Sequence, residues 1–234
     1  MYKRVILKLS GETLSSRDGG ACYDPLRVNE TARILKQLSS MGVQLGVVLG
    51  GGNIWRGRFS KDMTPFQADQ MGMLATIMNA LCLEDALKRQ GAPAVAFTAQ
   101  EMTRFAELYR ADRALQAMEE GKIALLAGGS GNPFFTTDTA AALRAAELRA
   151  DAVFKGTTVA GVYDKDPNRY PDAKFLPELS YADCIRMNIQ VMDITAFQLC
   201  RERGIPAIRI FPMDDLENIL RVAAGERIGS VVHI

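Results

Sequence analysis

The chain has 234 residues, of which 48% are hydrophobic and 24% charged, and its formal net charge at pH 7 is +1. This is the composition of a globular protein with a sizeable core, and the balanced charge favours neither nucleic acid nor an anionic membrane surface as a partner. The single histidine, His233, is next to the C-terminus, which argues against Ser-His-Asp triads and His-based zinc chemistry.

The cysteines and the N-terminus favour a reducing compartment. Cys22, Cys82, Cys184 and Cys200 form no C-x-x-C pair, so metal and disulfide interpretations are weak and reduced thiols are expected. The N-terminus lacks the apolar region of a signal peptide, and no window has the apolar length of a membrane span. We therefore expect a cytoplasmic protein whose chemistry depends on Lys, Arg, Asp and backbone dipoles.

Strand and helix patterns alternate along the chain. Short apolar runs predict strands at 4–9, 44–49, 94–98, 123–127, 152–155, 206–210 and 230–233. Helical periodicity and capping signals predict helices at 25–41, 69–90, 113–120, 138–149, 181–187, 193–203 and 214–223. This alternation predicts one domain over 1–234, a three-layer α/β/α sandwich with a mainly parallel central sheet. In such sheets, ligands bind at the carboxyl ends of the strands.

A predicted strand runs directly into Gly50, Gly51 and Gly52, and Arg56 follows. The spacing fits neither a dinucleotide finger, because Trp55 stands at its third glycine position, nor a P-loop, because no Lys-Ser or Lys-Thr pair follows. Glycines after a strand allow backbone N–H groups to approach a phosphate, and Arg56 at a predicted helix start could fork onto it. A turn without a ligand and a solvated arginine are the alternatives.

Two lysines end predicted strands beside glycine turns. Period-two alternation puts Lys8 on the same face as Ile6, and Lys155 ends a second buried strand. One such lysine is equally typical of an edge strand, but the pair suits a ligand with several negative charges. Asp138 could hold both lysines in place, although capping of the next helix by Thr137 or Asp138 is the alternative.

The run 128–138 joins a strand to a helix through a glycine-rich turn. Its Gly-Asn-Pro turn and two phenylalanines, Phe134 and Phe135, exceed what a helix cap needs. Asp69 alone is more simply interpreted as a helix N-cap, with the neighbouring methionines as core residues.

The segment 164–168 reads Asp-Lys-Asp-Pro-Asn, which resembles the opening of a calcium loop. Arg169 stands where the glycine of that loop belongs, and Phe175 where its glutamate belongs. We therefore predict no protein-bound metal site there, whereas Tyr163 is placed to flank a ring.

Five motifs together closely resemble the bacterial uridylate (UMP) kinases of the amino acid kinase superfamily. The motifs are Lys-Leu-Ser-Gly-Glu at 8–12, the glycine triplet with Arg56 at 50–57, Asp-Gln-Met-Gly-Met-Leu-Ala-Thr at 69–76, Gly-Asn-Pro-Phe-Phe-Thr-Thr-Asp at 131–138 and Gly-Val-Tyr-Asp-Lys-Asp-Pro at 161–167. The first two motifs are shared across the superfamily. The Asp-x-Met-Gly-Met start of the third motif and the fourth motif, Gly-Asn-Pro-Phe-Phe-Thr-Thr-Asp, are specific to the UMP kinase branch. The likeness covers essentially the whole chain.

The resemblance implies ATP-dependent phosphorylation of UMP to UDP, with Mg²⁺ bound with the nucleotide, in pyrimidine nucleotide (CTP) biosynthesis. By motif match it assigns catalysis to Lys8, Arg56, Asp138 and Lys155. It assigns ATP binding to Lys8, Leu9, Ser10, Gly11, Gly52, Arg56, Thr157, Tyr163 and Asp166. It assigns UMP binding to Gly51, Asp69, Ser130, Gly131, Asn132, Pro133, Phe134, Phe135, Thr136 and Thr137. The resemblance thus places the binding site for the acceptor, UMP, in the N-terminal part of the domain and the ATP site in the C-terminal part.

The resemblance also implies a homo-oligomer, specifically an allosteric homohexamer, with UTP as a feedback inhibitor. Between Glu12 and Asp24 the chain lacks the spaced glycines to which GTP activation in the family is attributed. Activation by GTP is therefore not carried over to this chain.

Two other functions remain open. A carboxylate or carbamate kinase of the same fold would favour a compact basic pocket over Asp69 and the two phenylalanines. A non-catalytic nucleotide sensor could keep the glycine turns and lose the chemistry, but the joint presence of Lys8, Lys155 and Asp138 argues against it.

Overall fold

The computed structural model describes residues 2–16, 20–56 and 62–234. The strands are β1 (Arg4–Leu9), β2 (Gln44–Leu49), β3 (Ala94–Thr98), β4 (Glu107–Leu108), β5 (Ile123–Ala127), β6 (Ala152–Thr157), β7 (Val162–Tyr163), β8 (Phe175–Leu176), β9 (Glu178–Ser180), β10 (Ala207–Pro212) and β11 (Ser230–His233). The helices are α1 (Pro25–Ser40), α2 (Pro65–Arg89), α3 (Ala111–Glu119), α4 (Thr137–Glu147), α5 (Tyr181–Arg186), α6 (Ile194–Glu202) and α7 (Asn218–Ala223), and a short 3-10 helix covers Gly11–Leu14.

The main sheet has nine strands in the order β4-β3-β5-β2-β1-β6-β10-β11-β9. All its neighbouring strands are parallel except β10 and β11. Two hydrophobic cores lie on opposite faces of the sheet, one with α1, α2 and α7 and the other with α3 to α6. The predicted three-layer sandwich with a mainly parallel sheet is thus confirmed.

Alternation along β1 divides its side chains between the two cores. Val5, Leu7 and Leu9 pack on the α1 and α2 side, whereas Ile6 packs on the side of α4. Lys8 shares the face of Ile6 and therefore points toward the layer that contains α4. Because β1 pairs with β2 on one side and β6 on the other, the interpretation of Lys8 as an edge-strand residue is wrong.

Helix α2 begins at Pro65 rather than at residue 69. Thr64 is its N-cap, whose side chain accepts a hydrogen bond from the Gln67 N–H, and Pro65 occupies a first-turn position where its missing N–H is harmless. Asp69 consequently lies inside the helix, so its interpretation as an N-cap is wrong. Within the described part of the chain, none of the helices combines the length and apolar character needed to cross a membrane.

A tight turn follows the glycine triplet. The N–H groups of Ile54 and Trp55 both donate to the carbonyl of Gly51, but Arg56 itself is not helical. Residues 57–61, with Gly57 of the motif, lie outside the described residues, so a helix start directly after Arg56 stays a prediction. Residues 17–19, inside the segment that lacks the spaced glycines, lie outside them as well.

The segment 156–177 contains more strand than the sequence predicted. Strand β6 continues to Thr157 because Gly156 and Thr157 pair with Phe211 and Pro212 of β10, and β7 pairs antiparallel with β8. Strands β4 and β9 were not predicted, since runs of two or three residues are too short for a periodic pattern. Helix α3 begins at Ala111 instead of residue 113, and α7 begins at Asn218 instead of residue 214.

Candidate active site

A cluster of two lysines and one aspartate lies at the carboxyl ends of the central strands. Lys8 of β1 and Lys155 of β6 are register partners on adjacent parallel strands, so both side chains leave the sheet on one face. Helix α4 covers this face and places Asp138 between them. The Lys8 Nζ lies 3.1 Å from Asp138 Oδ1, and Lys155 Nζ pairs with Asp138 Oδ2.

Thr136 leaves Asp138 available for this cluster. The Thr136 side chain caps α4 by accepting hydrogen bonds from the N–H groups of Asp138 and Thr139. The alternative in which Thr137 or Asp138 caps the helix is therefore wrong. The carboxylate of Asp138 is directed to the lysines instead.

Burial shapes the charges of the cluster. Asp138 and Lys155 are only 9% and 7% exposed. Burial opposes ionisation of Asp138, but Lys155 and Lys8 hold the pKa of its carboxyl below the usual range. Burial also lowers the pKa of Lys155, with Asp138 opposing and Lys8 adding to the effect. Lys8, Lys155 and Asp138 by themselves carry one net positive charge, and the two ammonium groups offer hydrogen-bond donors to an anion.

A second carboxylate, Asp193, reaches the cluster from the start of α6. It accepts hydrogen bonds from the Thr136 hydroxyl and, at 3.3 Å, from the Thr139 hydroxyl, and its charge acts on Lys155. The sequence marked Asp193 only as the start of a predicted helix, which its side chain does not cap. Its contact with α4 is set by the tertiary fold, so no local pattern could reveal it.

One cleft has a volume of about 280 Å³ and lies between the two glycine turns and α2. Its lining includes most of the residues assigned to UMP, namely Gly51, Asp69, Asn132, Pro133, Phe135, Thr136 and Thr137. Gly52 and Arg56, assigned to ATP, also line this cleft, whereas Ser130, Gly131 and Phe134 belong to the same turn but lie outside the lining. We call this cavity the acceptor cleft.

Asp69 ties helix α2 to the turn on the other side of the acceptor cleft. Its Oδ2 accepts a hydrogen bond of 2.7 Å from the Phe134 N–H, and the Phe66 ring lies 6.4 Å from the Phe134 ring. Phe134 has a φ of 70°, which is unfavourable for a bulky residue and is maintained only when surrounding contacts enforce it. Phe134 and Phe135 are 69% and 53% exposed, and of these two rings it is Phe135 that lines the cleft.

The three glycines after β2 differ in how much space their surroundings leave for a side chain. None of them has a positive φ, so packing and not backbone conformation decides whether glycine is needed. A Cβ on Gly50 would lie 3.2 Å from the backbone nitrogen of Gly11. A Cβ on Gly51 would lie 2.8 Å from both Ala75 Cβ and the Gly72 carbonyl oxygen. A Cβ on Gly52 would have its nearest neighbour at 4.0 Å, so only Gly52 leaves room beside the backbone for a ligand.

We expect Gly51→Ala to destabilise the protein by about 1–3 kcal/mol, since its methyl group would overlap α2. Gly52→Ala should keep the wild-type melting temperature, because its added Cβ would meet no atom closer than 4.0 Å. It should raise the KM of the substrate that binds in the acceptor cleft, because Gly52 lines this cleft. Thermal melts and initial-rate kinetics of the matched pair separate these effects. Equal melting temperatures for the two variants would contradict the packing argument for Gly51.

The Arg56 side chain is held toward the turn and 3-10 helix that follow β1. Its Nε donates to the Gly52 carbonyl at 3.0 Å, and its Nη2 pairs with the Glu12 carboxylate. Both charged side chains are about half exposed. The guanidinium thus lies at the mouth of the acceptor cleft, beside the element predicted to hold ATP phosphates.

The residues predicted to hold ATP phosphates form the tight turn from β1 into the 3-10 helix. Ser10 caps this helix, its hydroxyl accepting from the Glu12 N–H at 3.3 Å. Gly11 has no room for a side chain because a Cβ would lie 2.2 Å from Asn53 Oδ1. The Leu9 side chain is fully buried in the core, so only its backbone could face a nucleotide.

A second cleft, the donor cleft, has a volume of about 330 Å³ and lies beyond the end of β6. Thr157, Tyr163 and Asp166, all assigned to ATP, line it together. The sequence did not indicate Asn188, Gln190 and Val191, which come from the connection between α5 and α6 and line it as well.

Each cleft is lined by a residue that is close in the chain to the lysine–aspartate cluster, although Lys8, Asp138 and Lys155 themselves line neither cleft. Thr137 of the acceptor cleft precedes Asp138 in the chain, and Thr157 of the donor cleft follows Lys155 closely on β6. Ligand clefts at the carboxyl edge of a parallel sheet, with glycine turns and buried positive charge between them, define a nucleotide-binding α/β protein suited to phosphoryl transfer.

Comparisons with known proteins agree with this class. The model of the amino acid kinase family matches residues 3–210. A uridylate kinase of Parabacteroides distasonis is 45% identical over 99% of this chain and 98% of that protein. The crystal structure of a UMP kinase from Bacillus anthracis has a TM-score of 0.94 at 33% identity and covers 99% of this chain and 96% of its own. That of a UMP kinase from Ureaplasma parvum has a TM-score of 0.92 at 34% identity, with 100% of both chains covered.

The chain therefore belongs to the amino acid kinase family. The resemblance to UMP kinases, which the motifs indicated, is confirmed by these similarities.

Proposed function

We propose that this protein transfers the γ-phosphoryl group of ATP to UMP, giving UDP and ADP, as a step of pyrimidine nucleotide biosynthesis toward CTP. The observation that carries the proposal is that residues close in the chain to the lysine–aspartate cluster line both an acceptor cleft and a donor cleft. Similarity to the uridylate kinase of Parabacteroides distasonis supports UMP as the acceptor.

The donor and acceptor roles follow the two clefts. ATP phosphates would contact Lys8 and the backbone from Leu9 to Gly11, while the nucleoside would occupy the donor cleft beside Tyr163. UMP would occupy the acceptor cleft, with Asp69 accepting from ribose hydroxyls. Arg56, at the mouth of this cleft, would bridge the two phosphate groups as a charge-assisted donor.

The transfer is a direct in-line displacement in which a UMP phosphate oxygen attacks the γ-phosphorus and ADP leaves. The transition state is loose, and its charge needs stabilisation more than covalent help. Lys8 and Lys155 supply positive charge, and N–H groups of the glycine turns supply fixed dipoles. Asp138 touches both ammonium groups and so sets their positions.

A magnesium ion would be held mainly by the nucleotide. Within residues 2–16, 20–56 and 62–234, no group of three or more His, Cys, Asp or Glu side chains is placed to hold a metal ion. Mg²⁺ commonly binds through substrate phosphates with only one or two carboxylates. Bound in this way, it would neutralise charge on the ATP phosphates while the lysines act on the transferred group.

The proposed organisation is one domain over 1–234, with the acceptor side N-terminal to the ATP side. The acceptor cleft draws on residues between 51 and 137 and the donor cleft on residues between 157 and 191, which supports this division. We propose a homohexamer, and exposed apolar side chains on α2, including Leu74 (51%) and Met78 (52%), offer a surface for a second copy. UTP would share the uracil and ribose contacts of UMP and thereby compete with it.

A carboxylate or carbamate kinase fits the acceptor cleft less well. Such small anionic acceptors need a compact basic pocket, whereas this cleft presents Asp69 and Phe135. A carboxylate and an aromatic ring suit a nucleoside with hydroxyl groups and a flat base.

The direct test is to incubate the purified protein with ATP, Mg²⁺ and UMP and to separate the nucleotides by chromatography. We expect UDP and ADP to form in equal amounts. ADP formation without UDP, or the absence of both products, would overturn the proposed reaction.

We expect Asp69→Asn to raise the KM for UMP about 10-fold or more and to change the KM for ATP little. The reason is that hydrogen bonds to a charged acceptor contribute more than neutral ones, while the asparagine oxygen can still accept from the Phe134 N–H. Asp166→Asn is the matched variant in the donor cleft and should affect the KM for ATP instead. Equal changes in both KM values for Asp69→Asn would count against its ribose role.

A further inference from the structure

We infer that Thr76 and Asn79 of α2 are positioning residues that hold the two glycine turns at a fixed separation. The inference rests on the proposed phosphoryl transfer. Thr76 ends the third motif and lines the acceptor cleft but was assigned no role, and Asn79 lies outside the motifs. In-line transfer requires the reacting atoms to approach within about 3–3.5 Å, and a misplacement near 1 Å can lower the rate about 100-fold. A rigid element that touches both turns therefore controls catalysis.

Asn79 holds the first glycine turn. Its side chain is completely buried and donates to the Gly50 carbonyl at 2.7 Å. It also exchanges two amide hydrogen bonds with Asn53, of 2.8 and 3.1 Å. Gly11 packs directly on this group, since a Cβ there would lie 2.2 Å from Asn53 Oδ1 and 3.0 Å from Asn79 Nδ2. Asn79 thus sets the first turn and, through it, the element proposed to bind ATP phosphates.

Thr76 holds the second glycine turn. Its hydroxyl accepts a hydrogen bond of 2.8 Å from the Gly128 N–H and donates one of 2.7 Å to the Met73 carbonyl. Gly128 is the residue after β5, where the chain turns toward the acceptor cleft with a φ of 77°. Because this N–H is buried, loss of the Thr76 hydroxyl would leave it without its partner and permit the turn to shift.

The two side chains lie on one face of α2, which also packs on Gly51. Gly72 and Ala75 approach that glycine so closely that its added Cβ would lie 2.8 Å from each. Residues 72, 75, 76 and 79 follow the helical repeat of one face. Asp69 belongs to this helix too and binds the Phe134 N–H. One continuous helix therefore contacts the first turn, the second turn and the phenylalanine segment.

The test compares Thr76→Val with the wild type. Valine keeps the shape of threonine and removes only the hydroxyl function, so we expect kcat for UMP phosphorylation to fall about 10- to 100-fold with little change in the KM for ATP. Thr76→Ser keeps the hydroxyl and should restore most of the rate. If Thr76→Val does not fold, the pair Thr76→Ser and Thr76→Ala isolates the hydroxyl in the same way.

Thr31→Val is the matched control. Thr31 is a buried threonine of α1 whose hydroxyl has no hydrogen-bond partner among the described residues. Its replacement should leave kcat unchanged and should not lower the melting temperature.

The outcomes separate this inference from the proposed function. A wild-type protein that does not phosphorylate UMP would overturn the proposed function itself. An active wild type together with a Thr76→Val variant that matches Thr31→Val in kcat would overturn the positioning role, even if Thr76→Val melts at a lower temperature. A lowered kcat that Thr76→Ser does not restore would also overturn it.

Discussion

Replacing Lys8 by methionine should lower kcat for UMP phosphorylation about 100-fold or more, the effect expected from losing a preorganised charge donor. Such a loss corresponds to about 2.7 kcal/mol of transition-state stabilisation. The Lys8 ammonium is fixed by a central strand and by Asp138 at 3.1 Å, so little reorganisation is needed when charge develops on the transferred group. Methionine keeps the unbranched length of the side chain and removes its charge.

The measurement is kcat at saturating ATP and UMP, with melting temperatures to confirm folding. Lys88→Met is the control, because Lys88 is an exposed lysine that pairs with Glu84 on α2 and its loss should not affect turnover. A Lys8→Met variant with near-normal kcat would remove Lys8 from the mechanism.

Asp138→Asn should destabilise the protein by roughly 3 kcal/mol and lower kcat as well. Removing one partner of a buried ion pair leaves the other charge uncompensated, and here the buried Lys155 and the partly exposed Lys8 both pair with this carboxylate. Asparagine preserves the shape, so the effect reports on charge. Asp85→Asn, which removes an exposed carboxylate paired with Arg89, should change the melting temperature little.

The destabilisation caused by Asp138→Asn should become smaller as the pH falls. The folded pKa of Asp138 is lowered by its lysine neighbours, so its stabilising effect is present above the unfolded carboxyl pKa and is lost as the pH falls through the folded value. Wild-type and Asp138→Asn melting temperatures should therefore converge as the pH falls below about 4. A constant difference down to low pH would contradict the ion-pair explanation.

The Asp138→Asn substitution should also change how kcat/KM depends on pH at alkaline values. Burial lowers the pKa of Lys155, and Asp138 opposes that shift. In Asp138→Asn this opposition is gone, so the fall of kcat/KM at high pH should begin at a lower pH than in the wild type.

The sheet and its strand-end residues were largely predictable from the sequence because each depends on a local pattern. Apolar runs marked every long strand, and alternation along β1 put Lys8 on the correct face. The motif matches selected residues that the fold brings to two clefts, such as Asp69 and Tyr163. Lys8 and Lys155 are far apart in the chain, and only the pairing of β1 with β6 makes them neighbours.

The errors arose where tertiary contacts or weak local signals decide the structure. Asp69 looked like a helix cap, but Thr64 and Pro65 form a better helix start upstream. The sequence assigned no role to Asp193, Thr76 or Asn79, because their partners Thr136, Gly128 and Gly50 are distant in sequence. The packing around the glycines could not be predicted either. No sequence pattern distinguishes Gly51, which packs tightly against α2, from Gly52, which has room for a side chain.

The central claim is that this protein phosphorylates UMP, and a coupled ADP-release assay over a panel of acceptors tests it most directly. The panel contains UMP, CMP, dUMP, acetylglutamate and carbamate, each with ATP and Mg²⁺. UMP alone should release ADP, because Asp69 and Phe135 suit a ribonucleotide acceptor and the similarity to a uridylate kinase supports uracil as its base. Release of ADP with acetylglutamate or carbamate but not with UMP would contradict the account.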